Sequence, residues 1–334
     1  MFNFDKAYFE KVMYQHLDSN VNFILQVGKY IIDSGGKRVR PYLVLKFSKI
    51  MKNKNEEKDY ILAAALEYLH TASLLHDDVV DGSQLRRGKP TANRIFGNDT
   101  TVLTGDYMYA NALYLFSIYG DIDMIKNVSQ TVKKMAEGQL LELKKIADFD
   151  ITLQEYYSIL EGKTAALFGS CCYVGTALGT DNETLKQKAF EYGLNIGMAF
   201  QIVDDLLDYT GKEEKTGKSI MNDLREGKIT YPLIAVREKL SAKEKEFIKS
   251  VLLNKNPEVE DLLKVKNIVE SYGGIEETKQ KAKDFVNKAI ESLRIFGNSE
   301  DVEELESLAK FIIDREVWYK WESNRWAGLK IGKC

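Results

Sequence analysis

Two segments of this 334-residue chain carry residue types at spacings that suggest chemistry: Asp77-Asp78-Val79-Val80-Asp81 and Asp204-Asp205-Leu206-Leu207-Asp208. Both are Asp-Asp-x-x-Asp, and both end a long stretch of helical apolar periodicity. Residues i and i+4 share a helix face, so Asp77 points with Asp81 and Asp204 with Asp208. Asp78 and Asp205 sit about 100° round from their predecessors. A plain solvated acidic helix end is the simplest alternative, and it fits poorly. Carboxylates at a helix C-terminus oppose the macrodipole and repel one another across a turn. A cation relieves both conflicts. Carboxylates without His or Cys partners suit hard ions, Mg2+ ahead of Zn2+. Mg2+ held by one or two carboxylates usually shares its shell with substrate phosphates, so two acidic faces would bracket a diphosphate.

Basic residues for such an anion are present. Gly35-Gly36-Lys37-Arg38-Val39-Arg40-Pro41 is a glycine turn feeding a helix start, where backbone N–H groups, Lys37 and Arg40 can hold a phosphate. Arg86-Arg87-Gly88 follows the first cluster closely and suits bidentate phosphate contact. Lys218 in TGKS and Lys228 in EGKIT lie in a glycine-punctuated segment after the second cluster, either a lid or a plain loop. His70 lies two helical turns before Asp77, as a ligand or as a satisfied structural residue; His76 supports the aspartates beside it. Taken singly, each basic segment reads as ordinary surface charge.

The elements that must position these residues are helices. The chain has four prolines where average usage gives about 5% of residues. None falls between Thr91 and Tyr231. Helical periodicity runs through Tyr60–Asp81, 102–120, 124–146, 153–180, 183–209, 231–239, 242–253, 258–271 and 275–295, and no sustained two-residue alternation occurs. The reading is an all-α fold, one large helical bundle without linker or repeat. A net charge of −3 gives no basic field for nucleic acid. No apolar run reaches the length of a membrane span, and the charged N-terminus does not read as a signal peptide. Three cysteines without a CxxC spacing point to reduced thiols and a cytoplasmic protein.

The combination resembles the trans-isoprenyl diphosphate synthases, or polyprenyl synthetases. It is carried by GGKRVRP (35–41), LLHDDVVDGSQLRRGKPT (74–91), GKT (162–164), FQIVDDLLD (200–208), TGKS (216–219) and EGKIT (226–230). The resemblance implies an isoprenoid-synthase bundle around a deep central cavity, spanning 1–318 and working as a homodimer, with 319–334 as a C-terminal extension of unknown role. It implies head-to-tail condensation of isopentenyl diphosphate with an allylic diphosphate such as farnesyl or geranylgeranyl diphosphate. Asp77 and Asp81, supported by Asp78, would bind Mg2+ at the first motif, and Asp204 and Asp208 at the second. About three Mg2+ ions would serve each site with substrate bound. Lys37, Arg40, His70 and Arg87 match the isopentenyl diphosphate positions. Arg86, Lys163, Thr164, Gln201, Lys218 and Lys228 match the allylic diphosphate positions. Asp77, Asp81, Lys163, Asp204, Lys218 and Lys228 would draw negative charge onto the departing diphosphate, while the Thr164 and Gln201 oxygens stabilise the allylic cation. Ile229 stands where the family often has Pro.

Product length follows from the first long helix. Position 73 is one turn, about 5.4 Å, behind Asp77 on the same face. Ala72 and Ser73 are small, so a growing tail passes them, and a floor lies deeper, formed by Tyr107, Met108 or Leu115. The expected product is long, about C30 to C40, with a geranylgeranyl product as the alternative. Other readings are a class I terpene cyclase, which leaves GGKRVRP and RRG unexplained, and a non-catalytic subunit of a heteromeric synthase, which tends to lose its aspartates. A simple acidic cation-binding helical protein is a third. The basic tail Tyr319–Cys334, with two of the three tryptophans, reads as a peripheral membrane or partner contact or an atypical extension.

Overall fold

The computed structural model describes residues 4–211 and 221–313. Lys218 and the TGKS segment, Trp318 and the Tyr319–Cys334 extension lie outside these described residues.

The chain divides into two compact units, Met1–Val132 with Leu167–Gly193, and Lys133–Ala166 with Leu194–Cys334. In the first unit α1 spans Lys6–His16, α2 Asn22–Asp33, α3 Val39–Ile50, α4 Glu56–Val80, α5 Ala92–Phe96 and α6 Asn98–Tyr119. Its start signals are local. Asp5 caps α1 by accepting from the Tyr8 N–H, and Asn55 caps α4 by accepting from the Lys58 N–H. Glu56, Glu57 and Asp59 in the first turn of α4 complement its dipole. The apolar face of α4, with Leu62, Leu66, Leu69 and Ala72, is fully buried. Helices α3 and α6 pack along α4. The end of α1 and the residues just after it are hydrogen-bonded to the same pair: Tyr68 on α4 donates to the Met13 carbonyl, while Tyr107 and Asn111 on α6 donate to the Asp18 and His16 carbonyls.

Next along the chain come α7 (Ile122–Lys144), α9 (Ala166–Ala177) and α10 (Glu183–Thr210). Before α9, α8 (Leu153–Leu160) begins at a capping box between Thr152 and Glu155 and runs into a π-helical turn, Glu161–Ala165. The segment 153–180 is therefore two α-helices separated by a widened turn. In the second unit an aromatic cluster of Tyr156, Tyr157, Tyr231 and Phe285 joins α8 to the later helices Tyr231–Val236 and Gly274–Leu293.

One element departs from the helical reading. Leu85–Arg86 pairs antiparallel with Lys89–Pro90 across a two-residue turn. Arg87 and Gly88 both have positive φ, 53° and 76°, as a tight hairpin with the strand twist requires. Two-residue strands are too short to show alternation in sequence.

Candidate active site

The first cluster ends α4. Asp77 is half-buried and Asp81, the C-cap residue, is exposed. Asp78 is fully buried, and both its oxygens are taken by Arg86: Nε lies 2.9 and 3.0 Å from Oδ1 and Oδ2, and Nη2 2.7 Å from Oδ1. The middle aspartate thus sets the place of an arginine, while Asp77 and Asp81 are more exposed. His76 reaches α6, with Nε2 3.1 Å from the Val102 carbonyl oxygen and 3.2 Å from Asp106.

Around His70 the first unit gathers a cationic group. Its pKa is held well below the ordinary histidine value by burial and by Arg40, Arg87, Arg86 and Arg38. Burial and the arginines thus both favour the neutral imidazole. Arg40 lies with its guanidinium carbon 4.7 Å from the Phe168 ring centre. Arg87, at the hairpin turn, approaches the backbone of Gly36. Arg40, His70, Arg86 and Arg87, which the sequence marks separately, therefore come together, and Lys37 sits half-buried in the turn before α3. Sequence reasoning missed Arg38 and Glu67, a buried ion pair at 2.7 Å. Arg38 also donates to the Ile32 carbonyl at 3.0 Å and adopts a left-handed backbone, which locks the glycine turn ahead of α3. The signal available was a second arginine inside GGKRVRP.

The second cluster lies near the end of α10, in the other unit. Asp204 and Asp208 are half-buried. Asp208 accepts from the backbone N–H groups of Asn222 and Asp223 at 2.9 and 3.2 Å. Asp223, also missed from sequence, joins this group. Burial together with Asp208, Asp204 and Glu226 raises its pKa to about 7, with Lys228 opposing. Burial works against the charge of Lys228, but Glu142, Glu226 and Asp223 outweigh it and hold the ammonium above its usual value. Lys228 bonds Glu226 at 2.7 Å. Lys163 bonds Glu142 of α7. Thr164 donates to the Gln201 carbonyl at 3.1 Å. Asp205 is buried, and burial, Asp223 and Asp204 push its carboxyl well above the usual range against hydrogen bonds from Tyr156 and Gln201.

Lys163 and Thr164 lie on the π-helical turn, and Gly162 brings that turn against α7. A Cβ on Gly162 would lie 2.5 Å from the Lys134 carbonyl oxygen and 2.7 Å from Gly138 Cα. Only a glycine pair permits this approach, and π-turns commonly sit where a side chain must be re-aimed for function.

The donors near both clusters are carboxylate oxygens, which fits Mg2+. Among the described residues no group of three or more His, Cys, Asp or Glu side chains is arranged to hold a metal by itself. A hard ion sharing its shell with phosphate oxygens needs only one or two such ligands.

Helical units carrying two aspartate-rich helix ends and separate arginine and lysine groups define a diphosphate-handling protein of the helical isoprenoid-synthase class. The polyprenyl synthetase profile matches residues 21–269, and the chain belongs to that family. It is 34% identical over 314 residues to the octaprenyl diphosphate synthase of Escherichia coli, covering 93% of this chain and 96% of that one. It is 34% identical over 311 residues to the geranylgeranyl diphosphate synthase of Saccharolobus solfataricus, covering 89% and 92%. The crystal structure of a Caulobacter crescentus polyprenyl synthase complexed with calcium and isoprenyl diphosphate matches with a TM-score of 0.86 and 34% identity, covering 93% and 94%.

Proposed function

We infer that this protein is a prenyltransferase, a trans-polyprenyl diphosphate synthase that condenses isopentenyl diphosphate head to tail with an allylic diphosphate. The observation that carries the reading is the pair of intact aspartate motifs, each beside its own basic residues. Intact aspartates also favour an active enzyme over a non-catalytic subunit.

Asp77, Asp81, Asp204 and Asp208 are the residues to hold Mg2+, with Asp78 in support through Arg86. Bound there, Mg2+ supplies positive charge at the allylic diphosphate. Arg86, Lys163, Lys228 and Lys218 add fixed positive charge to the leaving group, so the C–O bond breaks with its electron pair leaving on pyrophosphate. Lys37, Arg40, Arg87 and neutral His70 hold the diphosphate of isopentenyl diphosphate. Its double bond forms the new C–C bond to the allylic carbon, and the resulting cation loses a proton to the departing pyrophosphate, leaving a new double bond. The oxygens of Thr164 and Gln201, hydrogen-bonded to one another at 3.1 Å, would stabilise the positive carbon.

The relatives support a long product: at the same 34% identity the octaprenyl synthase matches more of this chain than the geranylgeranyl synthase does, 93% against 89%, and the residues agree. Ala72 is fully buried, and Ser73 turns its hydroxyl back to the His70 carbonyl at 2.8 Å, so neither blocks the face behind Asp77. Met108 and Leu115 on α6 are buried deeper along that helix, while the Tyr107 hydroxyl is tied to Asp18. This supports a long product, about C30 to C40, reached beyond the first helical turns. Homodimerisation is supported by the exposed side chains Leu103, Leu113, Tyr114 and Ile118 on α6, an apolar stripe in search of a copy of itself. No helix of the described residues is long and apolar enough to cross a membrane. Buried free Cys171 and Cys172 agree with a reducing, cytoplasmic setting. Membrane contact is then peripheral, at the point where an apolar product leaves.

The test is turnover of labelled isopentenyl diphosphate with an allylic primer and Mg2+, with products separated by chromatography. Asp77→Ala and Asp204→Ala should each cut turnover by about a hundredfold or more while circular dichroism stays unchanged. Undiminished turnover in either variant overturns the assignment, and farnesyl diphosphate as sole product overturns the chain-length reading.

A further inference from the structure

The roles above leave Asp205 and Tyr156 unused. Asp205 is 3% exposed and Tyr156 on α8 is 2% exposed. The Tyr156 hydroxyl donates to Asp205 Oδ2 at 2.6 Å. Gln201 Nε2 donates to Asp205 Oδ1 at 3.3 Å. At its other end, Gln201 Oε1 accepts from the Thr164 hydroxyl at 3.1 Å. These bonds make one chain, Tyr156–Asp205–Gln201–Thr164, within the second unit.

The direction of the chain is set from the tyrosine end. The Tyr156 hydroxyl donates to Oδ2 and the Gln201 amide nitrogen donates to Oδ1, the two hydrogen bonds that favour the charged carboxylate of Asp205 against its burial. The end of the Gln201 amide that faces Asp205 is therefore its NH2, and its carbonyl oxygen faces Thr164. Reversed, the same amide would turn its positive N–H end where the negative end now lies. Both ends of the chain are anchored. The Tyr156 ring packs against Tyr157 and Tyr231, with centres 5.7 and 6.0 Å away. Thr164 is fixed on the π-helical turn.

We propose that Tyr156 is a positioning residue for the condensation: through Asp205 it orients the Gln201 amide so that its carbonyl, with the Thr164 hydroxyl oxygen, stabilises the developing allylic cation. Asp205 thereby differs from Asp204 and Asp208, serving the amide and not the metal. The inference rests on the condensation reading above.

The experiment is a double-mutant cycle on the full chain: wild type, Tyr156→Phe, Asp205→Asn, Gln201→Ala and the doubles with Gln201→Ala. Steady-state rates are measured with labelled isopentenyl diphosphate, an allylic primer and Mg2+, and folding is checked by circular dichroism. Removing the phenol donor should lower kcat about tenfold while the KM for isopentenyl diphosphate and the Mg2+ half-saturation change less than about twofold. In the Gln201→Ala background the same change should cost no further activity. Asp205→Asn, whose amide donates toward Gln201 and so reverses it, should lose at least as much, again only when Gln201 is present. A drop of equal size in both backgrounds, or wild-type kcat in Tyr156→Phe, overturns the positioning role. If Tyr156→Phe does not fold, Asp205→Asn carries the test by the same criterion. A wild-type protein that consumes no isopentenyl diphosphate with any primer overturns the condensation reading itself, an outcome distinct from either.

Discussion

At the scale of single residues, the site works by assigning different fates to identical side chains. Asp77, Asp78 and Asp81 are three aspartates within five positions, yet only Asp78 is sealed under Arg86. His70 shows the same principle through its proton. Its folded pKa is depressed, so between that value and the unfolded value of about 6.5 the unfolded chain binds the extra proton. Stability from this residue is therefore intact above the unfolded pKa and is lost as pH falls toward the folded one. We predict that the wild-type Tm falls more steeply than that of His70→Asn as pH drops from 7 to 5. Parallel curves for the two proteins would show that burial and the four arginines do not act on His70 as described. Measuring the difference between the two isolates His70 from the carboxyls that titrate over the same range.

At the scale of elements, the π-helical turn Glu161–Ala165 fixes two of the candidate residues of the second unit. It holds Lys163 and Thr164, and it is seated by the Gly138–Gly162 contact with α7. A methyl on Gly162 meets a carbonyl oxygen and a Cα, and neither is the end of a flexible side chain. Gly162→Ala should destabilise the protein by about 1–3 kcal/mol in urea melts and lower turnover as the turn is displaced. Wild-type stability together with wild-type turnover would mean that the helices part without cost and that the contact positions nothing. The hairpin Leu85–Pro90 plays the same role for Arg86 and Arg87, by backbone conformation instead of packing.

At the scale of the whole molecule, α6 carries an exposed apolar stripe of Leu103, Leu113, Tyr114 and Ile118. Leu103 is 65% exposed and Tyr114 62%, in a helix whose opposite face is buried. A self-complementary interface buries such a stripe twice over. Introducing Leu113→Lys with Ile118→Lys should shift the protein from dimer to monomer in analytical ultracentrifugation, with helicity retained. A dimer of unchanged stability would place the interface elsewhere.

Helix type, the location of most helices and the two clusters of aspartates were legible in the sequence because each rests on local order: a 3.6-residue period, caps such as Asn55, and aspartates four residues apart. The small hairpin was not, since its strands are shorter than one period of any pattern. Nor were Arg38 with Glu67, Asp223 beside Asp208, or Tyr156 on Asp205, whose members lie 29, 15 and 49 positions apart. Sequence alone determined which carboxylate and basic side chains lie on the helix ends and turns. Tertiary structure alone decided which aspartates face outward and which are spent on orienting a neighbour, because hydrogen-bond partners and burial are set by packing between segments that the chain keeps far apart.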